Sequence, residues 1–211
     1  MSITLIIIII NVLVSLAAMN NERLMDQLIF YPPAVTHDKQ YYRFFTSGFI
    51  HADFGHLIFN MISLYAFGRM VEGGFTQIFG ENGRLLYLLM YMLALPVSLM
   101  PTFAKNRSNS YYRSLGASGA VSAVIFAGLL MSPQAGVGMF FIPVYIPGFI
   151  FGPLYLIIYA YLDRKGGSNI NHSAHIWGAL FGVAFLLVAG QLAGFPIMNN
   201  FIAGVQDYFN F

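Results

Sequence analysis

The chain has 211 residues, of which only 9% are charged and 58% are apolar, where soluble globular chains carry about 25% charge. A soluble core cannot absorb that composition, and disorder is excluded by the same figures, because disordered chains combine low hydrophobicity with high charge. A net charge of +2 from ten scattered Lys and Arg supplies no basic stripe to displace counterions from a phosphate backbone, which argues against a nucleic-acid partner, and zero cysteines leaves no disulfide, thiolate metal site or cysteine nucleophile.

Taken in chain order, the first element is Ile3 to Met19, an isoleucine-rich run with no basic residue before it, expected to be a retained span rather than a cleaved signal peptide. Asn20 to Ile50 is an unusually long connection. It carries Pro32, Pro33, six of the 18 charged residues and the aromatic patch Tyr41, Tyr42, Phe44 and Phe45, and reads as a structured interfacial element. Apolar runs follow at about His56 to Met70, Leu85 to Ala104, Leu115 to Met131, Pro143 to Leu162 and Ser173 to Leu192. Polar connections separate them at Glu72 to Arg84, Lys105 to Ser114, Ser132 to Ile142 and Asp163 to His172. A spanning helix needs about 20 mainly apolar residues to cross roughly 30 Å of hydrocarbon, so the pattern predicts an all-α polytopic membrane protein, one domain over residues 1–211 with six spans. The structure of Ala193 to Phe211 stays open. The fourth run has 17 residues, about 25 Å of helix, so one of its ends is recessed, which is tolerated only inside protein or beside a water-filled cavity.

Polar side chains within spans are expensive and point by default to a functional site facing the bundle interior. His56 and Asn60 lie four apart in the first turns of span two, Ser118 opens span four inside Gly116-Ala117-Ser118-Gly119, and His175 opens span six ahead of Gly178 and Gly182. In an antiparallel six-span bundle the beginnings of spans two, four and six share one membrane face, so topology brings the four polar residues to one level. A serine hydroxyl needs an adjacent base to attack a carbonyl, which a histidine at the same depth supplies. The first-turn N–H groups at Ser118, with the His56 and Asn60 side chains, offer donors to an oxyanion. Gly116 and Gly119 permit close approach around the serine, and Gly178-x-x-x-Gly182 does the same for span six against span four. Plainer readings stand beside these: small-residue packing for Gly-Ala-Ser-Gly, a cap for Ser118, an interhelical hydrogen-bonding pair for His56 and Asn60, and a structural His175. A zinc site is the competing chemistry for His51, His56, His172 and His175, but the chain has no His-Glu-x-x-His pair and no thiolate. Glu72 is expected at the far end of span two, about 24 Å from His56 by helical rise, capping or packing a loop.

The sequence resembles the rhomboid intramembrane serine proteases. The resemblance rests on Tyr42-Arg43 in the first loop, His51 and His56-x-x-x-Asn60 entering span two, Glu72, Gly116-Ala117-Ser118-Gly119, and Ala174-His175-x-x-Gly178-x-x-x-Gly182, in family order over about two thirds of the chain. It implies a six-transmembrane-helix rhomboid bundle in which Ser118 is the nucleophile and His175 the base. The oxyanion is held by His56, Asn60 and the Ser118 backbone N–H, with Gly116 also stabilising oxyanion or substrate and Tyr42, Arg43, His51, Glu72, Gly119, Gly178 and Gly182 as structural support. It implies transmembrane protein substrates entering sideways from the lipid bilayer past span five, no metal and no cofactor. Two positions depart from the family pattern: Tyr42 stands where Trp is usual, and Ser122 stands where many bacterial members carry an aromatic supporting the histidine, leaving His172, Asn171 or Ser173 to orient His175.

The alternatives are a catalytically inactive helix-binding adaptor and a small channel or transporter. The expected location is a bacterial inner (cell) membrane, with the site opening opposite the N-terminus. Charge counting opposes that orientation, since connections at the site's face hold eight Lys and Arg against Arg69 and Arg84 opposite. The reading expects a dyad without an acid: Asp163 is the nearest carboxylate on that face, and a solvated ion pair with Arg164 and Lys165 is its expected fate.

Overall fold

The structure, a computed structural model, describes residues 1–139 and 142–210. The chain opens with helix α1 (Ile3–Met19), capped by the Ser2 hydroxyl, which accepts from the Leu5 N–H at 3.2 Å. The long connection folds into three short helices, α2 (Glu22–Leu28), α3 (Pro32–His37) and α4 (Arg43–Thr46). Helices α5 (Phe54–Phe79) and α6 (Gly83–Asn106) follow as a hairpin, then α7 (Ser118–Met131). Strands β1 (Gly136–Met139) and β2 (Ile142–Pro147) form an antiparallel pair with Val137 opposite Ile146. The chain ends with α8 (Gly148–Lys165), α9 (His172–Leu192) and α10 (Ile197–Phe209).

Helix α7 is the axis of the bundle. Its 14 residues are almost all buried, and α5, α6, α8, α9 and α10 pack around it. At 1.5 Å per residue it is about 21 Å long, shorter than the expected run because Leu115 to Ala117 are not helical: Gly116 turns there with φ +115°. Ser118 thereby becomes its first residue.

The outer surface is inverted relative to a soluble protein. Along α1 the buried positions include Thr4, Asn11 and Ser15, each 0% exposed, while Ile9, Ile10 and Leu13 face outward. A helix that buries its polar stripe and exposes isoleucine is matched to hydrocarbon outside and to hydrogen-bonding partners inside. Ile150, Leu154, Ile157 and Ile158 do the same on α8. Two stretches are long and apolar enough to cross a bilayer unaided, Phe54–Asn106, which contains the α5–α6 hairpin, and α9; α1 and α7 are apolar but shorter.

Several boundaries differ from those expected. The helix expected as span two begins at Phe54, capped by Asp53, and continues through Glu72 to Phe79. The Gly73-Gly74 pair does not break it, because Gly74 is packed against the Met131 side chain; the break comes at Gly80, with φ +58°. The run expected as span five is helical only from Gly148 rather than Pro143. Pro143 and Pro147 both bias the residue before them to extended backbone, and the segment joins the β-ribbon instead. Residues 197–209, left open by the sequence, form α10, whose Met198, Ile202 and Phe209 are exposed.

Glu72 therefore lies within α5, and its carboxylate caps another helix. It accepts from the Ile3 N–H at 2.9 Å, the Thr4 N–H at 3.0 Å and the Thr4 hydroxyl at 2.9 Å, with the Arg84 Nε at 3.9 Å. A buried carboxylate at the positive end of α1 satisfies donors the helix cannot satisfy itself. It also fixes the start of α1 at the end of the bundle away from His56. Glu72→Ala is expected to cost about 3 kcal/mol by leaving these donors unpaired, read as a fall in melting temperature in detergent, with Glu72→Gln milder.

Candidate active site

The beginnings of α5, α7 and α9 meet at one end of the bundle around a cavity of about 430 Å³. Ser118, His175, His56, Gly116, Gly119 and Ser98 line it, and Phe44, Ser47 and Gly48 of the first connection wall it. Ser118 and His175 are half-buried and face the same space. Among the described residues no hydrogen bond joins them in this conformation.

Local chemistry places each group. The Asp53 carboxylate accepts from the His56 N–H at 2.8 Å, so α5 starts with His56 in its first turn. The Asn60 amide donates to the His56 carbonyl at 2.9 Å, and Asn60 is buried one turn below without lining the cavity. His51 links three elements. Its Nδ1 lies 2.9 Å from the Ser15 hydroxyl, and its Nε2 accepts from the Ala117 N–H at 3.4 Å, immediately before Ser118. Burial, and secondarily the neighbouring His56, pull the His51 pKa down to about 3 against the opposing pull of Asp53, so the ring is neutral and can accept at Nε2. Gly116 donates its N–H to the Ser47 carbonyl at 2.9 Å. That donor is therefore not free for an oxyanion, and what Gly116 contributes is room, since a Cβ there would meet the His56 ring at 2.6 Å. The N–H groups of Ser118 and Gly119 have no backbone acceptor among the described residues.

Arg43 organises the first connection. It is buried, its Nε donates to Gln40 at 2.6 Å, and one terminal nitrogen donates to the Asp26 and Ile29 carbonyls at 2.7 Å each. Tyr42 is exposed, with the guanidinium 5.6 Å from its ring centre. Helices α7 and α9 touch backbone to backbone at Gly178 and Gly182, where an added Cβ would strike the Gly119 and Ala123 carbonyls.

The rhomboid domain family model matches residues 38–192, well over half of the chain and every residue lining the cavity except Ile29. The chain belongs to the rhomboid family. It is similar to RHOMBOID-like protein 12, mitochondrial, of Arabidopsis thaliana, at 36% identity over 146 residues, 64% of this chain and 42% of that protein. It is also similar to the presenilin-associated rhomboid-like protein, mitochondrial, of Rattus norvegicus, at 29% identity, and of Homo sapiens, at 28%, each over 69% of this chain and 37% of the relative. The chain spans about two fifths of the length of these curated relatives. Their names are mitochondrial and give no support to the expected bacterial cell membrane.

Within this rhomboid domain the orientation of His175 differs from what the sequence suggested. None of His172, Asn171 or Ser173 bonds to its ring. Tyr155 of α8 does, its hydroxyl 2.9 Å from His175 Nδ1 and 3.1 Å from the Ser122 hydroxyl. Tyr159, one turn on, stacks on the imidazole with centroids 4.9 Å apart. Sequence reasoning passed over both tyrosines. Their signal was an i, i+4 pair of polar-tipped aromatics inside an apolar run, each hydroxyl needing a partner. His172 is buried, its two ring nitrogens have no hydrogen-bond partner among the described residues, and it touches Tyr159 edge-on. Asp163 is exposed and forms no ion pair with Arg164 or Lys165; Arg84 with Glu72 is the one pair among the described residues. Nor is any group of three or more metal-ligating side chains assembled among the described residues.

Proposed function

We propose that this rhomboid domain is an intramembrane serine endopeptidase acting on transmembrane helices of protein substrates. The observation that carries the reading is the cavity shared by Ser118 and His175 at the recessed start of α7, where a serine, an imidazole and free helix N–H groups converge inside an apolar bundle. Ser118 attacks the scissile carbonyl, and its proton passes to His175 Nε2, which later protonates the leaving amine. The Ser118 N–H, the positive end of α7, and the His56 and Asn60 side chains stabilise the oxyanion. The Asn60 amide has two N–H donors, one held by the His56 carbonyl and the other serving the oxyanion. Gly116 serves by leaving the His56 ring its space. Six crossings, α1, α5, α6, α7, α8 and α9, form one membrane domain over residues 1–211, with the site at the end away from the start of α1. Of the cations at that end, Arg43 is buried, while Arg107 and Arg113 lie over Phe103 and Tyr31 at 5.2 and 4.8 Å, so local packing accounts for part of the charge excess there.

The helix-binding adaptor has one observation on its side, the absence of a hydrogen bond between Ser118 and His175 among the described residues. Catalytic hydrogen bonds often tighten only in complexes with substrate. A fluorophosphonate probe separates the two: the full chain in detergent is expected to be labelled and Ser118→Ala is not, whereas an adaptor leaves both unlabelled. His56→Ala and Asn60→Ala are each expected to lower turnover about 10²-fold with little change in KM, because the lost donor matters as charge develops on the carbonyl oxygen. Unchanged turnover with a lowered melting temperature would assign the pair to the fold alone.

A further inference from the structure

The His175 imidazole has one hydrogen-bond partner among the described residues, and it sits on a different helix from either member of the dyad. The Tyr155 hydroxyl stands between His175 Nδ1 at 2.9 Å and Ser122 Oγ at 3.1 Å, so α7, α8 and α9 are tied through one oxygen. Below that contact Tyr159 stacks on Tyr155 with centroids 4.1 Å apart and on His175 at 4.9 Å. Tyr155 also packs edge-on against Phe126 of α7, which holds its ring in place from the other side.

Only one direction of this chain suits a base. If His175 carries its proton on Nδ1 and donates to the Tyr155 oxygen, Tyr155 donates in turn to Ser122 Oγ, and Nε2 keeps its lone pair for the Ser118 proton. In the reverse direction Tyr155 donates to Nδ1, the ring proton moves to Nε2, and the base is lost. We propose that Tyr155 is a positioning residue that sets the tautomer and direction of the His175 imidazole, that Ser122 orients the Tyr155 hydroxyl by accepting from it, and that a neutral phenol here does what a buried carboxylate does in a triad. The proposal rests on the reading of His175 as general base. It has a consequence for α8, in which only Gly148 and Gly152 are buried: the base is oriented from a loosely embedded helix, so its orientation follows the position of α8.

The test uses the full chain in detergent with a fluorophosphonate probe, reading kinact and KI separately, together with the ¹⁵N shifts of histidine-labelled protein, in which His175→Ala identifies the ring in question. Tyr155→Phe keeps the ring, the stack and the packing, and removes one oxygen. It is expected to lower kinact about tenfold, less than the roughly 10²–10⁴ a general base itself supplies, to leave KI unchanged, and to move the His175 ring from the Nδ1-protonated tautomer to a mixture. Ser122→Ala, which does not touch the imidazole, is expected to give the same tautomer mixture and a smaller loss, and it decides the matter if Tyr155→Phe also lowers the melting temperature. Parent-like kinact and an unchanged tautomer in both variants would overturn the proposal. Persistent labelling of Ser118→Ala would instead remove the reading of the dyad on which it rests.

Discussion

The doubly substituted chain Ser118→Ala, His175→Ala is expected to cleave a transmembrane substrate no more slowly than Ser118→Ala alone. Nucleophile and base act as a unit, so once the hydroxyl is gone the imidazole has no proton to take, and the second loss costs almost nothing. His175→Ala by itself should lower turnover by about 10²–10⁴, the range of a positioned general base. The measurement is cleavage rate at saturating substrate for the parent, the two single variants and the double variant. Losses that multiply in the double variant would mean the two residues act independently, as packing or substrate-binding groups do, and would sink the dyad.

What the residue pattern made legible was whatever broke the apolar runs. Ser118 inside Gly-Ala-Ser-Gly and the histidines at run starts stand out because each is costly in hydrocarbon without a partner, and the antiparallel order of the runs brings them to one end. Tyr155 and Tyr159 stayed hidden for the opposite reason: tyrosine counts as apolar in the run, and only the fold tells which hydroxyl meets an imidazole. Helix ends were obscured where packing overrides local preference. The second run is expected to end near Met70, yet α5 continues to Phe79, with Gly74 lying against α7 at Met131. Pro143 is expected to start a span, yet Ile142–Pro147 is an extended strand, as its two prolines favour. The α1 stripe carries its information in spacing, Thr4, Asn11 and Ser15 recurring on one helical face, each meeting a partner no local pattern names: Glu72, Tyr91 and His51.

The close approach of α7 and α9 supports the largest structural prediction. A Cβ on Gly178 would strike the Gly119 carbonyl and lie 2.7 Å from its carbon and 3.0 Å from its Cα, all backbone, so the helices themselves must separate. Ser118 adjoins Gly119, and His175 lies one turn before Gly178, which places the strain between the proposed nucleophile and base. Gly178→Val should cost about 1–3 kcal/mol in overpacking. It should also lower fluorophosphonate labelling about 10²-fold, the order expected for a misplacement near 1 Å, with the chain still inserted in the membrane. Gly190→Ala is the control. It overpacks the same helix against Ile197 and the Phe195 carbonyl, at the far end of the bundle, and should lower the melting temperature comparably while sparing the labelling rate. Equal labelling losses in both variants would trace the effect to general destabilisation of α9. A loss confined to Gly178→Val would mean that the backbone contact holds His175 within reach of the serine.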